Sequence, residues 1–226
     1  MITTIIFDAF GTLFKVAEGG SAKKIIYNIV TCDKEVDYES FVEEWKKYYK
    51  RYTVSESLFR TERDIFISRI KMFYDRFGVN RNAIEDTDAL LAEAFERKAY
   101  EEAKEVLDKI REKYNVFIGS NTDNDVLEAV MSGNGISADK IYTSENLKCY
   151  KPNMLFFKKI LEDNGLEPKE VLFVGDSVSD DILGPKALGI KTVLVNRSEK
   201  TGDFGQDYTI NDLRLLYGIL GKDNIE

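Results

Sequence analysis

The chain has 226 residues, 43% hydrophobic and 12% aromatic, enough for one cored domain carrying an insertion. Its 40 acidic residues outnumber its 32 basic ones, and a net charge of −8 argues against general affinity for nucleic acid or anionic membrane. There is no histidine, which removes Ser-His-Asp and Cys-His catalysis and leaves carboxylates, hydroxyls, lysines or an oxygen-bound metal to do any chemistry.

Residues 2–7 (ITTIIF) are rich in β-branched side chains and predict a buried strand, ended by a turn at Asp8-Ala9-Phe10-Gly11-Thr12. The N-terminus reaches Asp8 too early for a signal peptide, and no apolar run approaches the roughly 20 residues that span a bilayer. From residue 16 to 98 the strand rhythm stops. Phe41, Trp45, Tyr48, Tyr49 and Tyr52, then Ile65, Phe66, Ile70, Phe73, Tyr74 and Phe77, recur at helical spacing. These aromatics read as helix packing in an all-helical insertion.

A helix around Ala99 to Lys113, with Ala103, Val106, Leu107 and Ile110 on one face, leads to a second strand at Val116 to Gly119. Helices follow at Asn121 to Ser132 and Asn153 to Asn164, the second stopped by Gly165, and strands at Val171 to Gly175 and Lys191 to Val195. Strands alternating with helices predict βαβ units, hence an α/β fold with a parallel sheet covered on both faces. Cys32 and Cys149 are far apart with no CxxC, so reduced thiols in a cytoplasmic protein are expected.

Ligands of an open parallel sheet bind at the carboxyl ends of its strands. Asp8, Ser120-Asn121 and Asp176 stand there, with Lys151 in a loop before Pro152. Each alone reads as an ordinary turn residue, because Asp, Ser and Asn bond local backbone. Together, Asp8-x-Phe10-Gly11-Thr12-Leu13, Ser120-Asn121, Lys151-Pro152 and Gly175-Asp176-x-x-x-Asp180-Asp181 resemble, in order and spacing, the four motifs of the haloacid dehalogenase-like hydrolases. The resemblance covers residues 1–15 and 99–226 as a Rossmann-like core, and residues 16–98 fall where that family carries its α-helical cap domain.

The resemblance implies a covalent intermediate on Asp8, with phosphate held by Ser120 and Lys151. It puts Phe10, Gly11, Thr12 and Asn121 on the substrate, the amides of the turn cradling phosphate. It also implies Mg²⁺ on Asp8, the backbone carbonyl of Phe10, Asp176 and Asp181, with Asp180 a neighbour of unassigned role. The residue chemistry agrees. A carboxylate is the strong nucleophile left without His, and Asp176 beside Asp8 would be repulsive without a hard cation.

Two departures pull in opposite directions. Phosphatases of that family usually carry a second Asp two residues after the nucleophile, as general acid; here it is Phe10, and 2-haloacid dehalogenases commonly have an aromatic there. Trp45-Lys46 is also similar to a dehalogenase cap segment, although that family's arginine is replaced by Lys46, which reads equally as an exposed lysine. Against this, Gly175-Asp176-Ser177 with an acid at 181 matches the Mg²⁺-dependent phosphatases. Pro185 stands where the family has a small helix former, so the turn after it is expected to be distorted.

The metal site weighs more. The expected function is a Mg²⁺-dependent phosphatase acting on a small phosphorylated metabolite through an aspartyl-phosphate, with no nucleic-acid or membrane partner and an undetermined oligomeric state. The alternatives are a metal-independent 2-haloacid dehalogenase using Asp8, and a catalytically silent module binding a phosphorylated ligand.

Overall fold

The structure is a computed structural model that describes residues 1–16, 22–31, 36–53, 59–197 and 201–222. The chain divides into two compact units, Met1–Val16 with Lys98–Glu226, and Ala17–Arg97. In chain order, β1 (Thr4–Phe7) is followed by the helices of the inserted unit, α1 (Ala22–Val30), α2 (Tyr38–Thr53), α3 (Glu62–Phe77) and α4 (Ala83–Phe95). The core resumes with α5 (Ala103–Ile110), β2 (Asn115–Ser120), α6 (Asn124–Gly133), β3 (Lys140–Thr143), α7 (Ser144–Leu147) and α8 (Met154–Asn164). It ends with β4 (Val171–Gly175), α9 (Gly184–Lys186), β5 (Lys191–Val195), β6 (Tyr208–Ile210) and α10 (Leu216–Lys222).

All six strands are parallel, in the order β3-β2-β1-β4-β5-β6. Every residue of β1 and β4 is buried, because helices cover both faces and the strands therefore read as unbroken apolar runs. Alternation still sorts their side chains. Ile5, Phe7, Leu172 and Val174 pack with α5, α6 and α10 through Val106, Leu107, Leu127, Val130 and Leu216. Ile6, Val171 and Phe173 point the other way, onto Phe156, Phe157 and Ile160 of α8. Phe7 is level with Ile118 on one side and Val174 on the other, so the ends of β2, β1 and β4 form one edge. The chain winds outward from β1 through β2 and β3 on one side, and through β4, β5 and β6 on the other. The β1–β4 gap is therefore the switch point at which such sheets bind ligands.

Several sequence expectations change. β3 and β6 were missed because these edge strands are four and three residues long and partly exposed, with no apolar run to announce them. The helix expected from Asn121 begins at Asn124, because the Asn121 side chain is tied to the Lys151 backbone. The helix expected over 99–113 is shorter, Ala103–Ile110. The distortion expected after Pro185 lies before it. Pro185 sits in the first turn of α9, and the preceding residues Val178–Leu183 widen into a π turn. With no N–H, Pro185 cannot bond the carbonyl four residues back.

The inserted unit has its own core of Ile26, Val30, Phe41, Trp45, Ile70, Phe73 and Tyr74. Phe41 and Phe73 pack with ring centroids 4.6 Å apart. Buried Arg69 lays its guanidinium 3.6 Å from the centre of the Trp45 ring and donates to the Trp45 carbonyl at 3.3 Å, a cation–π arrangement that compensates part of its desolvation. Lys46 is exposed. The side chains of Tyr49 and Tyr52, and Cys32 altogether, lie outside the described residues, while Cys149 is a buried thiol. Among the described residues no helix is long and apolar enough to cross a membrane.

Candidate active site

The strand ladder continues one residue past β1, where the Asp8 amide donates to the Val174 carbonyl at 2.8 Å. The chain then folds back sharply. The amides of Leu13 and Phe14 both donate to the Ala9 carbonyl, at 2.8 and 2.9 Å, and the Gly11 amide donates to the Phe14 carbonyl at 2.7 Å. That last bond corrects one expectation, since the Gly11 N–H is already committed within the turn and does not point to a phosphate cradle. Gly11 contributes conformation and room instead. Its φ is +96°, and a Cβ on it would lie 2.6 Å from Cγ of Asp176. Only glycine meets both demands.

Lys151 is the hub. Its Nζ donates to Asp8 Oδ1 at 2.8 Å, to Asp181 Oδ1 at 2.7 Å and to the Gly119 carbonyl at 2.9 Å. Those three bonds use all three ammonium protons, and the residue is 3% exposed. Asn121 fixes the backbone below it. The Lys151 amide donates to Asn121 Oδ1 at 2.7 Å, and Asn121 Nδ2 donates to the Lys151 carbonyl at 3.0 Å. The amide expected on the substrate is thus engaged in holding the lysine loop. Sequence reasoning missed this, since an Asn after a strand carries no signal for a partner 30 residues away.

The last acids separate clearly. Asp181, buried in the π turn, takes Lys151 on Oδ1 and the Ser177 amide on Oδ2 at 2.9 Å. Its carboxyl group fills the space where a Cβ on Gly175 would sit, 2.3 Å from Asp181 Cγ. Asp180 accepts from Ser179 Oγ at 2.7 Å and Asn121 Nδ2 at 3.4 Å. Asp8, Asp176 and Asp181 each offer an oxygen within 4.8 Å of the others, and Asp180 is not in that group. Ser120 is buried at the end of β2, and the Thr12 hydroxyl is buried with no hydrogen-bond partner among the described residues. Phe10 rests against the Phe14 ring, centroids 6.0 Å apart, and is partly buried on the core.

The electrostatics follow from burial. Desolvation pushes the Asp8 carboxyl up to about 7; Lys151 works against this, while Asp181 and Asp176 add to it. Burial alone would lower the Lys151 ammonium, but Asp181 and Asp8 outweigh it and hold the group above its ordinary value. Burial also raises Asp180. Asp8, Asp176 and Asp181 crowd together around the Lys151 ammonium at the switch point. A hard divalent cation suits such an all-oxygen set and removes the repulsion.

A family model described as haloacid dehalogenase-like hydrolase matches residues 2–189. The (S)-2-haloacid dehalogenase 4A of Burkholderia cepacia is 25% identical, over 96% of this chain and 94% of that protein. A glyceraldehyde 3-phosphate phosphatase of Methanocaldococcus jannaschii is 39% identical, over 36% of this chain and 37% of that protein. Among solved structures, the HAD-hydrolase YfnB from Bacillus subtilis, bound to magnesium, shares the fold with a TM-score of 0.76 at 17% identity, covering 97% of this chain and 99% of that one. A ribulose-1,5-bisphosphate 5-phosphatase of Halopiger xanaduensis is also 26% identical, over 89% of this chain and 87% of that protein, but several dehalogenases align over nearly the whole chain, so these likenesses favour the dehalogenase alternative over the phosphatase reading.

Proposed function

The chain belongs to the haloacid dehalogenase-like hydrolases, and we propose that Asp8 is the nucleophile in Mg²⁺-assisted hydrolysis of a small phosphate ester. One observation carries this reading: oxygens of Asp8, Asp176 and Asp181 converge to within 4.8 Å of one another, beside the Lys151 ammonium that bonds Asp8 and Asp181. Displacing halide from carbon requires no metal. A site that accumulates carboxylates needs a cation before it admits any anionic substrate, and phosphoryl transfer is the chemistry that uses that cation.

The Asp8 carboxylate attacks phosphorus, the ester P–O bond breaks with its electrons on the leaving oxygen, and water then hydrolyses the aspartyl-phosphate to phosphate and free Asp8. Lys151 favours the ionised form of Asp8 and fixes its orientation. The Ser120 hydroxyl donates to a phosphoryl oxygen. Mg²⁺ would be held by Asp8, Asp176, Asp181 and the Phe10 carbonyl and would supply charge neutralisation for nucleophile and phosphate. Phe10 provides no proton for the leaving group. The helical Ala17–Arg97 unit is read as the cap domain and as the source of substrate choice.

A second reading has its own support in Phe10 and in the full-length dehalogenase relative. There Asp8 attacks C2 of a 2-haloacid, halide departs with the bonding pair and needs no proton, and water hydrolyses the ester to the 2-hydroxy acid. A panel of aryl, acyl and alkyl phosphates with 2-haloacids, each run with Mg²⁺ and with EDTA, separates the two. Phosphate release that stops in EDTA is expected. Halide release that continues in EDTA would establish the second reading.

A further inference from the structure

A second, partly buried ion pair reaches the nucleophile turn through its backbone. Arg197, just beyond β5, donates from Nη2 to Glu102 Oε1 at 2.6 Å and to the Thr12 carbonyl at 3.2 Å, and from Nη1 to the Asn211 carbonyl at 3.4 Å. Its guanidinium lies 3.6 Å from the centre of the Tyr100 ring. The Arg197 and Glu102 side chains are 18% and 6% exposed. One rigid fork therefore joins the turn after β1, the start of α5 and the segments after β5 and β6.

The desolvation cost of such a pair roughly cancels its attraction, so stability is a poor account of it. Direction is a better one, because the planar guanidinium fixes the angles of all its bonds while stacked on a ring. The residue whose carbonyl it holds, Thr12, follows Gly11, which lies directly against Asp176. Among the described residues the Thr12 hydroxyl has no hydrogen-bond partner, so the carbonyl is the anchored group of that residue. We propose that Arg197, oriented by Glu102, is a positioning residue that sets the nucleophile turn against Asp176.

The proposal rests on the reading of Asp8 as nucleophile, and its test is built to fail separately. Arg197→Met keeps the length of the side chain and removes the fork; Arg197→Lys keeps the charge. Each is assayed well below its melting temperature on the parent's best substrate, and the Gly11 amide is followed by ¹⁵N NMR. Arg197→Met should lower kcat about tenfold to a hundredfold with KM little changed, Arg197→Lys should recover part of the loss, and the Gly11 resonance should move in both. A Gly11 resonance that stays in place overturns the proposal whatever kcat does, and so does an unchanged kcat in an active parent. If Arg197→Met fails to fold, Arg197→Lys decides by the same two readouts. If the parent turns over nothing on the panel, the reading of Asp8 fails while the Gly11 resonance still decides the role of Arg197.

Discussion

Asp8 carries opposing demands in one side chain. Burial pushes its carboxyl from 3.8 to about 7, so between those values the folded metal-free chain keeps a proton that the unfolded chain has lost. By linkage, stability from this group is fully present below about pH 4 and declines as pH rises to about 7. Asp8→Asn removes the titration and can still accept from Lys151 through its amide oxygen. In EDTA it should therefore melt higher than the parent at pH 8 and show a flatter pH profile, while turnover is abolished; an unchanged melting temperature at pH 8 would show that burial of Asp8 is not destabilising. Phe10 makes a second demand. With no acid two residues after the nucleophile, log(kcat/KM) should fall steeply with leaving-group pKa, and Phe10→Asp should flatten the slope. A shallow slope in the parent would mean that another group supplies the proton.

At the scale of elements, the turn after β1 and the π turn after β4 bring the acids together, each over a glycine. Gly11→Ala forces a side chain into φ +96° and against Asp176. It should cost about 1–3 kcal/mol in a denaturant titration and lower activity further by displacing Asp176; a variant of parental stability would remove the case for that contact. The legible elements were those with two buried faces or a strong helical period. β1, β2, β4 and β5 announce themselves as apolar runs, and the aromatic spacing of α2 and α3 announces the insertion. β3 and β6 do not, because short edge strands bury little. The bonds that matter most at the site were illegible: those of Asn121 to the Lys151 backbone depend on where two loops meet, and that of Ser177 to Asp181 on the π turn that carries the acid.

For the whole molecule, the four motifs were legible as a set, because a parallel sheet brings all its strand ends to one edge. Which motif residues touch which was not. Asp8, Lys151 and Asp181 form one hydrogen-bonded chain, whereas Asp180 and Asn121 serve the lysine loop. The crowding of Asp8, Asp176 and Asp181 predicts that Mg²⁺ raises the melting temperature, by an amount that grows with concentration and corresponds to about 2.7 kcal/mol at a hundred times Kd. Asp176→Asn should largely remove this stabilisation, and a parent indifferent to Mg²⁺ would speak against the metal site. The central claim, attack by Asp8 on phosphorus, is tested most directly by multiple turnovers in ¹⁸O-water followed by mass spectrometry of the peptide containing Asp8. The account predicts label in the released phosphate and an unlabelled Asp8, because water attacks phosphorus in the second step. Label in the Asp8 carboxyl group would contradict it, since that result requires water to attack the carbonyl carbon of an ester formed on a carbon substrate.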